Sequence, residues 1–143
     1  MSISKHTESH LDHNLSEEQL AFVLAQDPTD KGDPESPVKV FTVDMPADLG
    51  TLECGIHGPS MGDAPVAESE VFYKVRGDRA GSSRLVDRAP RQTSKVTIVA
   101  GPHDGLDWVL FTSYGGPAAP REVFQDDSPA TVKFWAEHAL SAE

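Results

Sequence analysis

KVTIVAGPHDGLDWVLFTSYG, residues 95 to 115, constrains the fold more than any other part of the chain. Two runs rich in β-branched and aromatic residues flank a loop containing glycine, and such a pair closes as a long antiparallel hairpin. VKVFTVDM has the same character and is joined by the short link ADLG to GTLECGIHG, so these two are read as a second antiparallel pair. Helices are signalled elsewhere. In LSEEQLAFVLAQDP, Ser16 is placed to cap, Gln19 completes a capping-box pattern and Leu15 can staple onto Leu20, which predicts a helix over about 16–26. VAESEVFYKVRGD predicts another over about 67–76, with Gly77 placed to stop it. DSPATVKFWAEHALSAE predicts a third over about 128–141, with Ser128 as cap and Pro129 at the first helical position. Its inner side would carry Val132, Trp135, Ala136 and Ala139, with Phe134 off the stripe. With SSRLVDR as a short extra strand, the order implies an α+β fold: a mainly antiparallel sheet of four to five strands with three helices. The first and third helices would cover one face and leave the other open to partners.

A chain of 143 residues suits one domain with a real core. Residues 1–14 are polar and read as a mobile tail, with a single domain from 15 to 143. In that tail His6, His10 and His13 have a spacing that would place them on one helical face for a divalent metal; the favoured reading is a solvated segment, since a short isolated helix is marginal in water. Cys54, the single cysteine, sits in an apolar run with no adjacent cation and reads as structural. The sequence carries no long apolar run and acids early, so the expectation is a soluble, cytoplasmic protein with no membrane partner.

Charge is distributed unevenly. The chain carries net −11, yet residues 74–95 hold seven of its twelve cations against Asp78 and Asp87, so this stretch is +5 and the remainder −16. The overall balance opposes indiscriminate binding to nucleic acid or anionic membrane. Within the basic stretch, GDRAGSSR exposes backbone N–H groups beside Arg79 and Arg84, an arrangement that can wrap an anion, and Arg88 and Arg91 extend it. The same arginines could instead pair with the chain's own surplus acids, such as Asp44, Asp126 or Asp127.

Candidates for proton transfer are His57, at the end of a predicted strand, and His103, in the hairpin loop; His138 lies in the last helix. Strand alternation puts Thr112 and Tyr114 on one face of the last strand and Phe111 and Ser113 on the other, so a hydroxyl and a phenol emerge together. No zinc spacing, phosphate loop, dinucleotide fingerprint or nucleophile elbow is present, and no cofactor or metal is expected.

The run KVTIVAGPHDGLDWVLFTSY, with a basic segment upstream, resembles the closing hairpin of the metal-independent ribonucleases grouped with barnase, RelE and the EndoU-like toxin domains. Over roughly 84–114, that resemblance implies phosphate held by Arg84 or Arg88, donation from Thr112 and Tyr114, and His57 or His103 moving protons. LECGIHGPSMGDAPV through FWAEHAL also resembles a family of small uncharacterised bacterial proteins, which implies a shared fold and no particular activity. Two functions follow as expectations. One is binding of a phosphate-bearing ligand or RNA in a local basic cleft, with phosphodiester transfer if the site is catalytic. The other is a non-enzymatic acidic protein that docks a basic partner while its arginines form internal bridges.

Overall fold

The computed structural model of the chain describes residues 1–11, 15–55, 64–65, 67–71, 82–84, 91–102, 107–121, 123 and 126–141. In chain order its elements are β1 (Ser2–Ile3), α1 (Lys5–Leu11), α2 (Glu17–Leu24), β2 (Lys39–Asp44), β3 (Leu52–Glu53), β4 (Ala64–Pro65), β5 (Ser82–Arg84), β6 (Gln92–Thr93), β7 (Lys95–Pro102), β8 (Trp108–Gly115), α3 (Pro129–His138) and β9 (Ala139–Ser141). Short 3-10 turns span Ala47–Leu49 and Glu68–Glu70. The fold is mixed α+β. By internal packing the chain divides into two compact units, Met1–Glu53 with Gln92–Ala118, and Cys54–Arg91 with Ala119–Glu143. The expectation of a single domain is thus set beside two units, each with its own apolar cluster.

The first unit is built on a four-stranded sheet in the order β1-β8-β7-β2, with β1 parallel to β8 and the other pairs antiparallel. The expected hairpin is β7 and β8. Alternation then sorts the sheet's faces: Phe41 pairs with Ile98 and Val43 with Val96, and these side chains point into the cluster that also holds Val23, Leu52 and Leu110. Helices α1 and α2 supply Leu11 and Val23 to that cluster, so the two N-terminal helices cover this face. The closing helix, α3, belongs to the other unit.

Two expectations are corrected here. β2 does not pair with β3; its partner is β7, while β3 pairs with β6 in a separate two-stranded sheet. The link was read as short enough for a hairpin, but Pro46 and the 3-10 turn at Ala47–Leu49 wind it through a helical turn, and Gly50 leaves at φ 82°, a left-handed conformation suited to glycine. The N-terminal segment, expected to be a polar tail, places residues 1–11 as a strand and a helix. Ser4 accepts from the Thr7 amide at 3.1 Å to start α1, Ile3 stands opposite Leu110, and Leu11 is buried. Its few apolar residues suffice because β8 offers a paired edge. His6 and His10 fall on α1, and His13 lies outside the described residues.

Of the three expected helices, α2 and α3 stand close to their expected bounds. The middle one begins as the 3-10 turn at Glu68–Glu70, and 72–76 lie outside the described residues. In the second unit β9 is the central strand, pairing antiparallel with β4 and with β5. Trp135 is 1% exposed in a cluster with Val71 and Val123, and its indole N–H donates to the Arg121 carbonyl at 3.0 Å. Trp135 was expected against the main sheet; it is buried in this second cluster instead. Phe134 meets it edge-on at 5.4 Å, which explains an aromatic ring off the predicted stripe. Before the helix, Asp126 accepts from the Ser128 amide and from the Thr131 hydroxyl, both at 3.1 Å.

The predicted capping box at α2 is present and extends beyond the helix. The Ser16 hydroxyl accepts from the Gln19 amide at 3.2 Å, and the Gln19 side-chain oxygen accepts from the Ser16 amide at 3.0 Å. The side-chain nitrogen of Gln19 then donates to the carbonyls of Leu49 at 3.0 Å and Thr51 at 3.2 Å. Gln19→Ala should therefore destabilise the protein by about 2 to 4 kcal/mol, since it loses part of a cap and leaves carbonyls without donors. Gln19→Glu keeps the oxygen that serves the cap but loses both donations. Urea unfolding should find the Glu variant as unstable as the Ala variant; a near-wild-type Glu variant would reduce the residue to a cap.

Candidate functional site

The proposed site residues fall in both units. Thr112, Tyr114 and His103 belong to the first, and His57, Arg79, Arg84, Arg88 and Arg91 to the second. His57, His103, Arg79 and Arg88 lie outside the described residues, and Arg84 is described only as backbone in β5. Arg91 is exposed, and its carbonyl accepts from the Cys54 amide at 2.7 Å, a bond that ties the cysteine into backbone structure. Cys54 is 6% exposed.

Of the predicted constellation, Thr112 and Tyr114 are brought together as expected. Register pairs Thr112 with Val99 and Tyr114 with Thr97, so both point to the face opposite the apolar cluster. Tyr114 is 3% exposed and Thr112 half-buried. Neighbouring hydroxyls are spent on structure: Thr97 Oγ1 donates to the Gly116 carbonyl at 2.7 Å and lies 2.8 Å from Thr42 Oγ1. On the other face Ser113 Oγ donates to the Thr97 carbonyl at 2.9 Å. Phe111 departs from the predicted alternation. The register shifts by one residue between Val99 and Ala100, which leaves Phe111 as the extra residue of a β-bulge. Its ring lies over Gly101, where a Cβ would stand 2.6 Å from the ring atoms Cε2 and Cζ. Gly101 shares the face of Thr97 and Val99, so the ring lies on that face too, 45% exposed.

An open cleft of about 500 Å³ at one end of the first unit was not foreseen from the sequence. Asp27, Pro28, Asp107, Trp108 and Met1 contribute to its lining. Thr29 organises it. Its amide and hydroxyl donate to Asp27 Oδ1 at 3.0 and 2.6 Å, and the Trp108 indole N–H donates to the Thr29 hydroxyl at 3.3 Å. The Thr29 hydroxyl and then its amide hold the Asp27 carboxyl below its ordinary value, with smaller help from Lys31 and the Met1 amino group. The cleft offers carboxylates, an indole and the Ser2 hydroxyl, which donates to the Trp108 carbonyl at 3.4 Å. Nothing local in the sequence relates residue 27 to residue 107, because the chain meets there only after the sheet has formed. Among the described residues no group of three or more His, Cys, Asp or Glu converges on a metal position, and no helix is long and apolar enough to cross a membrane.

Comparison with family models, with curated proteins and with solved structures gave no match.

The Asp27 contact has a definite pH consequence. A carboxyl held low by donors in the folded state adds stability above its unfolded value, and that contribution disappears as the pH falls through the lowered value. Thr29→Val removes the hydroxyl donor and keeps the amide. The Asp27 midpoint, followed by carboxyl carbon NMR shifts, should rise part of the way to the ordinary aspartate range. An unchanged midpoint would show that the hydroxyl is not the main cause.

Proposed function

We propose that the protein is a non-enzymatic interaction protein whose first unit docks a basic partner. One observation carries this reading. The first unit contains thirteen acids and four lysines, net −9, and no arginine, whereas the second contains ten acids and eight cations, net −2. All eleven of the first unit's carboxylates among the described residues are exposed. Two of its lysines serve the chain itself: Lys39 is buried and donates to the Asp33 carbonyl at 2.9 Å, and Lys95 pairs with Asp44 at 2.6 Å. A surface with so little local compensation attracts cations over a Debye length and speeds their encounter.

A second reading has its own support, since all six arginines fall in the second unit. That concentration favours a phosphate-bearing ligand, RNA included, bound around Arg84 and Arg88. With Tyr114 buried, phosphodiester transfer is not part of this reading.

One titration compares them. Fluorescence anisotropy with a labelled oligolysine should show binding that weakens at least tenfold as ionic strength rises from about 0.02 to about 0.2 M, where the Debye length shrinks from ~20 to ~7 Å. A labelled RNA oligonucleotide should bind weakly or not at all. RNA binding that is lost on replacing Arg84 and Arg88 by Ala, with oligolysine ignored at low salt, would replace the first reading by the second.

A further inference from the structure

The large apolar side chains exposed among the described residues are Val40, at 39%, and Phe111, at 45%. They share one face of the four-stranded sheet. Val40 pairs with Val99 and Val99 with Thr112, so a row crosses β2, β7 and β8 over about 10 Å. Phe111 stands at the end of that row, turned outward by the bulge and seated on Gly101, while Val99 and Thr112 between them are half-buried. The row thus presents two exposed apolar ends joined through a half-buried middle.

At its Val40 end this row is bordered by acids. Gly32, at φ 64°, lies against the backbone of Val40, with its Cβ position 3.0 Å from the Val40 carbonyl oxygen. It brings with it a loop on which Asp30, Asp33 and Glu35 are exposed against Lys31. We infer that this face docks a peptide segment of a partner protein with an apolar centre flanked by lysine or arginine. The apolar row supplies the contact, and the carboxylates select the flanks. A second copy of the chain fits poorly, because it would bring another unit of net −9 against the first. The inference rests on the acidic docking reading and locates the contact within it.

Two labelled seven-residue peptides test it: one with three central leucines between pairs of lysines, the other with serines in place of the leucines. The leucine peptide should bind the wild-type protein at least tenfold more tightly. Phe111→Ser should remove that preference and leave the serine peptide's affinity unchanged. Val40→Thr, which keeps the β-branched shape, should reduce the preference about threefold, with circular dichroism melts verifying that both variants fold. Equal binding of the two peptides, or a leucine preference that survives both substitutions, overturns the docking row and leaves the acidic surface standing. Failure of both peptides to bind at low salt overturns the acidic reading and the row together. Self-association of the protein, seen by sedimentation and lost in Phe111→Ser, makes a second copy the occupant and overturns the basic partner.

Discussion

Strand β7 is paired along its length on both sides, with β2 at one edge and β8 at the other, and the first unit depends on it. A strand in that position has no spare polar group, so each side chain on it must either be apolar or find its partner inside the fold. Thr97 shows how this is met. It has no exposed surface, yet its hydroxyl joins the Gly116 carbonyl and the Thr42 hydroxyl, and its carbonyl receives the Ser113 hydroxyl. Valine in its place would keep the shape but strand the Gly116 carbonyl. Thr97 and Ser113 therefore act as fasteners between strands.

Local signals were legible in the sequence and distant ones were not. The capping box of α2, the start of α3 at Pro129 and the hairpin of β7 with β8 all depend on residues a few positions apart, and each is found near its expected place. The partner of β2 was misread because alternation of apolar residues says which face a strand buries and nothing about which strand lies beside it. The bulge at Phe111 is similar: no residue in WVLFTSYG announces it, and it is explained by Gly101 across the ladder making room for the ring. The candidate site was least legible. Proximity in sequence grouped the arginines with the last hairpin, but the boundary between the two units passes between Arg91 and Gln92. The burial of Tyr114 is a property of packing, to which strand periodicity is blind.

The same boundary gives the charge pattern a physical sense. The twelve cations are divided so that the second unit holds every arginine and two lysines, and the first holds four lysines among exposed carboxylates. Self-repulsion in that first unit opposes its compaction, so its apolar cluster must outweigh the cost. Tying Lys39 to the Asp33 carbonyl and Lys95 to Asp44 relieves the repulsion at two places, both at the ends of β2.

The separation of β2 from β7 also has a consequence in time. β2 ends at Asp44 and its partner is complete only at Pro102, about sixty residues later. At ribosomal rates of about 5 to 20 residues per second, the nascent strand waits for about 3 to 12 s with its ladder groups unpaired. A β-rich segment in that condition is open to pairing with neighbouring chains. The acids before it, from Asp27 to Glu35, and Asp44 and Asp48 at its end are flanking charges of the kind that oppose such pairing.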